Sequence, residues 1–149
     1  MTAPRTPDFV GIVVAAGSSA RLPGSVPKQF ERIGSRTLLE HAVAVLAGHA
    51  AVRGVVVVLP ELDAQGDRGA QVAALPGVLR VVGGGKARAD SVRHGLEAAG
   101  GPPFVLVHDA ARPAASPMLV SAVIEATRIH GAAIPGVPIV DTGDRKSVV

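Results

Sequence analysis

Phe9-Val10-Gly11-Ile12-Val13-Val14-Ala15-Ala16-Gly17 is the stretch on which the fold turns. A run of apolar, mostly β-branched side chains that ends in small residues and glycine reads as a buried strand feeding a ligand-binding turn. With Arg5 ahead of it, the run also faintly resembles the core of a signal peptide, but it is short and the same residues make a good strand. Outward from this strand the chain alternates. Thr37-Leu38-Leu39-Glu40 is a capping box, and Leu39, Val43 and Leu46 follow at the spacing of one helical stripe. Val55–Leu59 is a continuous apolar run stopped by Pro60, as a strand covered on both faces should be. Glu61–Leu75 predicts a helix interrupted near Gly66–Gly69, and Val78–Val82 a third strand broken by Gly83-Gly84-Gly85.

The second half repeats the pattern. Val92, Leu96 and Ala99 mark a helix that starts near Ala89 and stops at Gly100-Gly101-Pro102-Pro103. Phe104–Val107 is a fourth strand. Ser116-Pro117 sets a cap ahead of proline at a first helical position, Leu119, Val123 and Ala126 give the apolar stripe, and Gly131 ends the helix. Ala132–Val140 is a fifth strand, weakened by Pro135 and Pro138. This β-α-β order predicts one α/β domain over residues 1–149, with a mainly parallel sheet flanked by helices on both faces. In such sheets ligands sit beyond the carboxyl ends of the strands, so the loops after Ala15, Val82, Val107 and Val140 carry the chemistry.

Composition narrows the class. Apolar residues make up 48% of the 149 and charged ones 18%, a balance that supports a packed core. Three Phe, no Trp and no Tyr leave almost no stacking platform for single-stranded nucleic acid, and a formal charge of +3 without a polybasic run is no footprint for DNA. No apolar stretch reaches the length of a membrane span. The lack of cysteine excludes disulfides, zinc thiolates and thiol nucleophiles and is compatible with the cytoplasm, the expected location.

In the first loop, Ala15-Ala16-Gly17 lets backbone approach a ligand, while Arg21 and Lys28 bring two cations suited to phosphate oxygens. A flexible turn with solvated cations is the plainer reading of this loop taken alone. G-x-G-x-x-G with an acid about twenty residues on is absent, which disfavours a dinucleotide site, as is the phosphate loop of ATPases. In the loop Gly83–Ser91, glycines allow contact with a flat base edge and Ser91 offers a hydroxyl; an Asp-Ser helix cap is the equal alternative. In the loop after Val107, Asp109 is a natural Mg²⁺ ligand at a strand tip or else a cap of the next turn, and Arg112 stands near a phosphate or at the surface. His108 reads as packed or tautomer-fixing. His41, His49, His94 and His130 show no metal-ligand spacing.

Taken together, Ala15-Ala16-Gly17 with Arg21, Pro27-Lys28-Gln29-Phe30, Leu39-Glu40-His41, Arg88-Ala89-Asp90-Ser91-Val92, His108-Asp109-Ala110-Ala111-Arg112-Pro113 and Asp141-Thr142 resemble the 2-C-methyl-D-erythritol 4-phosphate cytidylyltransferases of the non-mevalonate isoprenoid pathway. The resemblance implies a Rossmann-like nucleotidyltransferase fold of the GT-A-like kind. It implies Mg²⁺-dependent transfer of CMP from CTP to the polyol phosphate, with release of pyrophosphate. Carried onto this sequence, Arg21 and Lys28 are the catalytic cations, Ala15, Ala16, Gly17, Gly85 and Ser91 bind the nucleotide, Arg112 and Thr142 bind the polyol phosphate, and Asp109 holds the metal. The expected partners are CTP and a small polyol phosphate, with no nucleic acid or membrane, and a homodimer as in the family. Ser19, Ala20 and Lys86 depart from the residues usual at their positions. The motifs stop at Thr142, and residues 143–149 do not resemble the family's continuation, so the reading is of an incomplete domain, its C-terminal part missing, with little or no turnover of its own. The alternatives are another sugar- or polyol-phosphate nucleotidyltransferase and a non-catalytic nucleotide-binding remnant.

Overall fold

The computed structural model describes residues 7–17 and 26–137. Within them the chain runs β1 (Phe9–Val14), a short 3-10 turn (Lys28–Phe30), β2 (Arg32–Ile33), β3 (Arg36–Thr37), α1 (Leu38–Ala47), β4 (Val52–Leu59), α2 (Glu61–Gln65), α3 (Asp67–Ala73), β5 (Val78–Gly83), α4 (Arg88–Ala98), β6 (Phe104–Asp109) and α5 (Pro117–His130). Four strands form a parallel sheet in the order β5-β4-β1-β6, while β2 and β3 make a small antiparallel ribbon. The chain moves outward from β1 through β4 to β5 and then returns to the other side of β1 as β6. The direction of winding therefore reverses between β1 and β6, which is where a crevice opens in folds of this class.

The two central strands are apolar on both faces because both faces are covered. Phe9 and Val13 of β1, with Val55, Val57 and Leu59 of β4, join the main core against Leu39, Val43 and Leu46 of α1 and Val120 and Ile124 of α5. Val10, Ile12 and Val14, with Val56 and Val58, face the other way, toward Val92 and Ala99 at α4 and its end. Gly95 lets α4 lie close to the sheet: a Cβ there would sit 2.6 Å from Ile12 Cγ2 and 3.1 Å from Val58 Cγ2.

The helix ends follow their chemistry. The Thr37 hydroxyl accepts the Glu40 amide at 3.1 Å, and the Glu40 carboxylate accepts the Thr37 amide at 2.6 Å, so the capping box forms. The Ser116 hydroxyl accepts the Leu119 amide at 3.1 Å, Pro117 opens α5, and Gly131 closes it at φ 83°, a left-handed conformation open to glycine. The helix expected over Glu61–Leu75 is split in two at Gly66.

Three expectations need correction. Residues 132–137 form no strand; Ile134 and Val137 are 92% and 87% exposed, and the remainder of the expected strand lies outside the described residues. Apolar composition makes a strand only where a backbone partner accepts it, and Pro135 has no amide to offer. The buried stripe of α5 is Val120, Ile124 and Thr127, one position on from Leu119, with Val123 and Ala126 at its margin. On α4 the buried positions are Ser91 and Gly95, and Leu96 is 42% exposed. On α4 the cause is a small residue: Gly95 lets the helix approach Ile12 and Val58 closely, so the face nearest the sheet is not the most apolar one.

Candidate functional site: a cationic cleft at the strand tips

The sheet register sets the site. Val14 pairs with Val58 on one side and Asp109 on the other, and Leu59 pairs with Gly83, so the carboxyl ends of all four strands fall in one row. Backbone bonds extend that row into the loops: the Ala15 amide donates to Val58 O at 2.8 Å, Ala110 to Val14 O at 3.0 Å, and Gly84 to Leu59 O at 2.7 Å. A cleft of about 610 Å³ opens above them, within the usual size of a small-molecule site.

Ala15, Ala16 and Gly17 form one wall, Gly85 and Ser91 another, and Lys28, Asp109 and Arg112 face the same space. Eight residues proposed from sequence thus meet at one place. The other two, Arg21 and Thr142, lie outside the described residues.

The glycine loop is knitted by its own side chains. Ser91, buried at the first turn of α4, accepts the Gly85 amide and donates to the Ala87 carbonyl, both at 3.2 Å. The Asp90 carboxylate accepts the Ala87 amide at 3.0 Å. The sequence alternatives for this loop, helix cap and ligand wall, are therefore compatible: the caps hold the turn whose inner face lines the cleft. A Cβ on Gly84 would collide with the Ala16 methyl and reach 2.8 Å from Ser91 Oγ, so the loops after Val14 and Gly83 touch only because residue 84 lacks a side chain.

Lys28, Lys86, Arg88 and Arg112 all reach this cleft, against one carboxylate, Asp109. Arg88, the first residue of α4, engages Asp109 Oδ1 through Nη2 at 2.8 Å and Nε at 3.1 Å. Arg112 Nε stands 3.4 Å from Oδ2. The Asp109 side chain remains 30% exposed. His108 Nε2 lies 3.0 Å from the Arg112 carbonyl; a carbonyl only accepts, so this nitrogen carries the proton and ties the two ends of the Asp109–Arg112 turn together. Burial lowers the His108 pKa from its ordinary value, outweighing the Arg112 hydrogen bond and the Asp109 charge that act to raise it. Its neutral form is thereby favoured, as expected of a packed, tautomer-fixing residue.

Mg²⁺ prefers one or two carboxylates with phosphate and water oxygens. Asp109 fits that donor set: it is a single, partly exposed carboxylate at a strand tip beside cations able to hold phosphates. The described residues contain no group of three or more His, Cys, Asp or Glu that could cage a metal without substrate.

Sequence reading missed two participants. Gln29 was quoted within a motif but given no role; it lines the cleft, is 5% exposed, and its Nε2 has no hydrogen-bond partner among the described residues. Arg88 was likewise quoted only within a motif, yet it is the main ion partner of Asp109. Nothing local in the sequence signals either fact.

A parallel sheet that gathers glycine-lined turns, several cations and one carboxylate at its strand tips defines the α/β nucleotidyltransferase class. Within that class the chain belongs to the 2-C-methyl-D-erythritol 4-phosphate cytidylyltransferase family, which it matches over residues 9–148. It is 47% identical over 137 residues to a bifunctional enzyme IspD/IspF of Anaeromyxobacter dehalogenans, covering 91% of this chain and 34% of the relative. It is 43% identical over 134 residues to a 2-C-methyl-D-erythritol 4-phosphate cytidylyltransferase of Rhodococcus jostii, covering 89% and 58%. Among solved structures, a 4-diphosphocytidyl-2C-methyl-D-erythritol synthase superposes with a TM-score of 0.74 at 33% identity, covering 95% of this chain and 64% of that one. The chain thus spans between about a third and three-fifths of the length of these two curated relatives. The family match runs past Asp141-Thr142, where the recognisable motifs stop.

Proposed function

We propose that this chain carries the nucleotide half of a Mg²⁺-dependent site that transfers CMP from CTP to 2-C-methyl-D-erythritol 4-phosphate. An oxygen of the polyol phosphate attacks the α-phosphorus of CTP in line; the new P–O bond forms as the bond to the β-phosphate oxygen breaks, and pyrophosphate departs with its electron pair. No protein nucleophile is required, so catalysis rests on positioning and charge. Ala15, Ala16 and Gly17 pass under the nucleotide with backbone groups, and Gly85 and the turn held by Ser91 offer main-chain groups to the cytosine edge. Lys28, together with Arg21, stabilises charge on the α-phosphoryl group. Arg112, with Thr142, holds the phosphate of the second substrate. Mg²⁺, when bound at Asp109, would neutralise phosphate charge.

The observation that carries this reading is the convergence of Lys28, Asp109 and the Gly85–Ser91 loop on one cleft from three separate segments. Calorimetric titration with CTP, UTP, ATP and GTP in Mg²⁺ tests the nucleotide half. CTP is expected to bind best; equal affinity for all four would remove the assignment. Pyrophosphate release on adding methylerythritol phosphate, compared with ribitol phosphate, tests the acceptor. A preference for ribitol phosphate would move the assignment to a different polyol-phosphate transferase.

A further inference from the structure

The carboxylate assigned to the metal is already engaged. Arg88 lies on Asp109 Oδ1 with two nitrogens, at 2.8 and 3.1 Å, while Arg112 approaches Oδ2 at 3.4 Å. A guanidinium and a hard divalent cation use the same lone pairs on a carboxylate, and a guanidinium offers no acceptor to a metal. The two states of Asp109 therefore exclude each other at Oδ1. Arg112 belongs to the same turn as Asp109 and travels with it. Arg88 comes from a different element, and its backbone is fixed at the start of α4 by the Ser91 and Asp90 hydrogen bonds to the Ala87 peptide. Its side chain is 61% exposed and is therefore able to swing off the carboxylate.

We propose that Arg88 is the resident counter-cation of Asp109: it neutralises that carboxylate when no divalent cation is present, lets the cleft accept a polyphosphate without metal, and yields Oδ1 when metal arrives. This inference rests on the polyphosphate-and-metal reading of the cleft. Arg88 is here a positioning residue acting through Asp109, and it differs in that from Lys28, which faces the phosphates themselves. Without Arg88, Asp109 would keep only the longer Arg112 contact at 3.4 Å, and its less neutralised charge would repel the incoming phosphates until a metal covered it.

The test uses the full 149-residue chain, inorganic triphosphate and Mn²⁺, so that it does not depend on cytosine recognition or turnover. In EDTA, Arg88→Met should weaken triphosphate binding about three- to fivefold, a size expected for one partly solvated charge. In saturating Mg²⁺ the same variant should bind as the wild type does. Arg88→Lys, which keeps the charge, should hold metal-free affinity near the wild-type value. In the absence of phosphate, Mn²⁺ binding followed by electron paramagnetic resonance should tighten about three- to fivefold in Arg88→Met, because its competitor is gone, and Asp109→Asn should abolish that gain. Unchanged Mn²⁺ affinity in Arg88→Met would overturn the proposal. So would a loss of triphosphate affinity of the same size with and without metal, since Arg88 would then be touching phosphate directly. A chain that behaves as expected here but shows no preference for CTP would instead sink the cytidylyl-transfer reading and leave the Arg88 assignment standing.

Discussion

Val14 and Asp109 are register partners at the carboxyl ends of adjacent parallel strands, and the Ala110 amide closes on the Val14 carbonyl at 3.0 Å. The Ala15–Gly17 loop and the Asp109–Arg112 turn therefore leave the sheet side by side, at the point where its winding reverses. Asp109→Asn keeps the shape of this junction and removes its charge. The expected result is loss of the Mg²⁺ enhancement of CTP affinity in calorimetry. Global stability should move by less than about 1 kcal/mol, because the ion pairs of Asp109 are partly solvated.

Gly84 meets Ala16 and Ser91 where the loops after Val14 and Gly83 touch. Gly84→Val should push the two loops apart and lower nucleotide affinity at least tenfold, about 1.4 kcal/mol, while the thermal transition stays cooperative. Binding as tight as that of the wild type would show that the cleft does not need this contact.

Gly95 is a packing position. A side chain there meets Ile12 and Val58, both buried β-branched residues with little room to turn. Gly95→Val should destabilise the chain by about 1–3 kcal/mol in urea unfolding, although valine is the better helix former of the two. An unchanged midpoint would mean that α4 stands off the sheet.

His108 gives a pH dependence with a definite sign. Its pKa is lowered in the folded chain, chiefly by burial. Between that lowered value and the ordinary 6.5, the unfolded chain holds more protons than the folded one, so stability falls as pH falls through this window and is fully recovered above 6.5. His108→Gln keeps a donor for the Arg112 carbonyl and cannot titrate. Urea midpoints measured across the window should decline less in His108→Gln than in the wild type. Identical slopes would place the acid sensitivity elsewhere.

Local patterns are what the amino-acid order made readable. The strands around Phe9–Val14, Val55–Leu59 and Phe104–Val107, the Thr37 and Ser116 caps and the break at Gly66 all rest on neighbours a few residues apart, where apolar periodicity and capping chemistry act. The loops that hold Gly17, Lys28, Gly85, Ser91 and Asp109 could be named for the same reason, since each follows a strand. Their convergence came from the rule for parallel sheets and not from any one residue.

Contacts between distant segments were decided in three dimensions. The order β5-β4-β1-β6 put Asp109 beside Val14. The closeness of α4 to the sheet turned Leu96 outward and Gly95 inward. Residues 132–137 found no strand to pair with, despite their apolar content. The hold of Arg88 on Asp109 and the burial of Gln29 depend on where whole elements pack. Hydrogen bonding along the chain and periodic burial act at short range and leave a trace in the order of residues; ion pairing and edge pairing between remote segments leave none until the sheet is assembled.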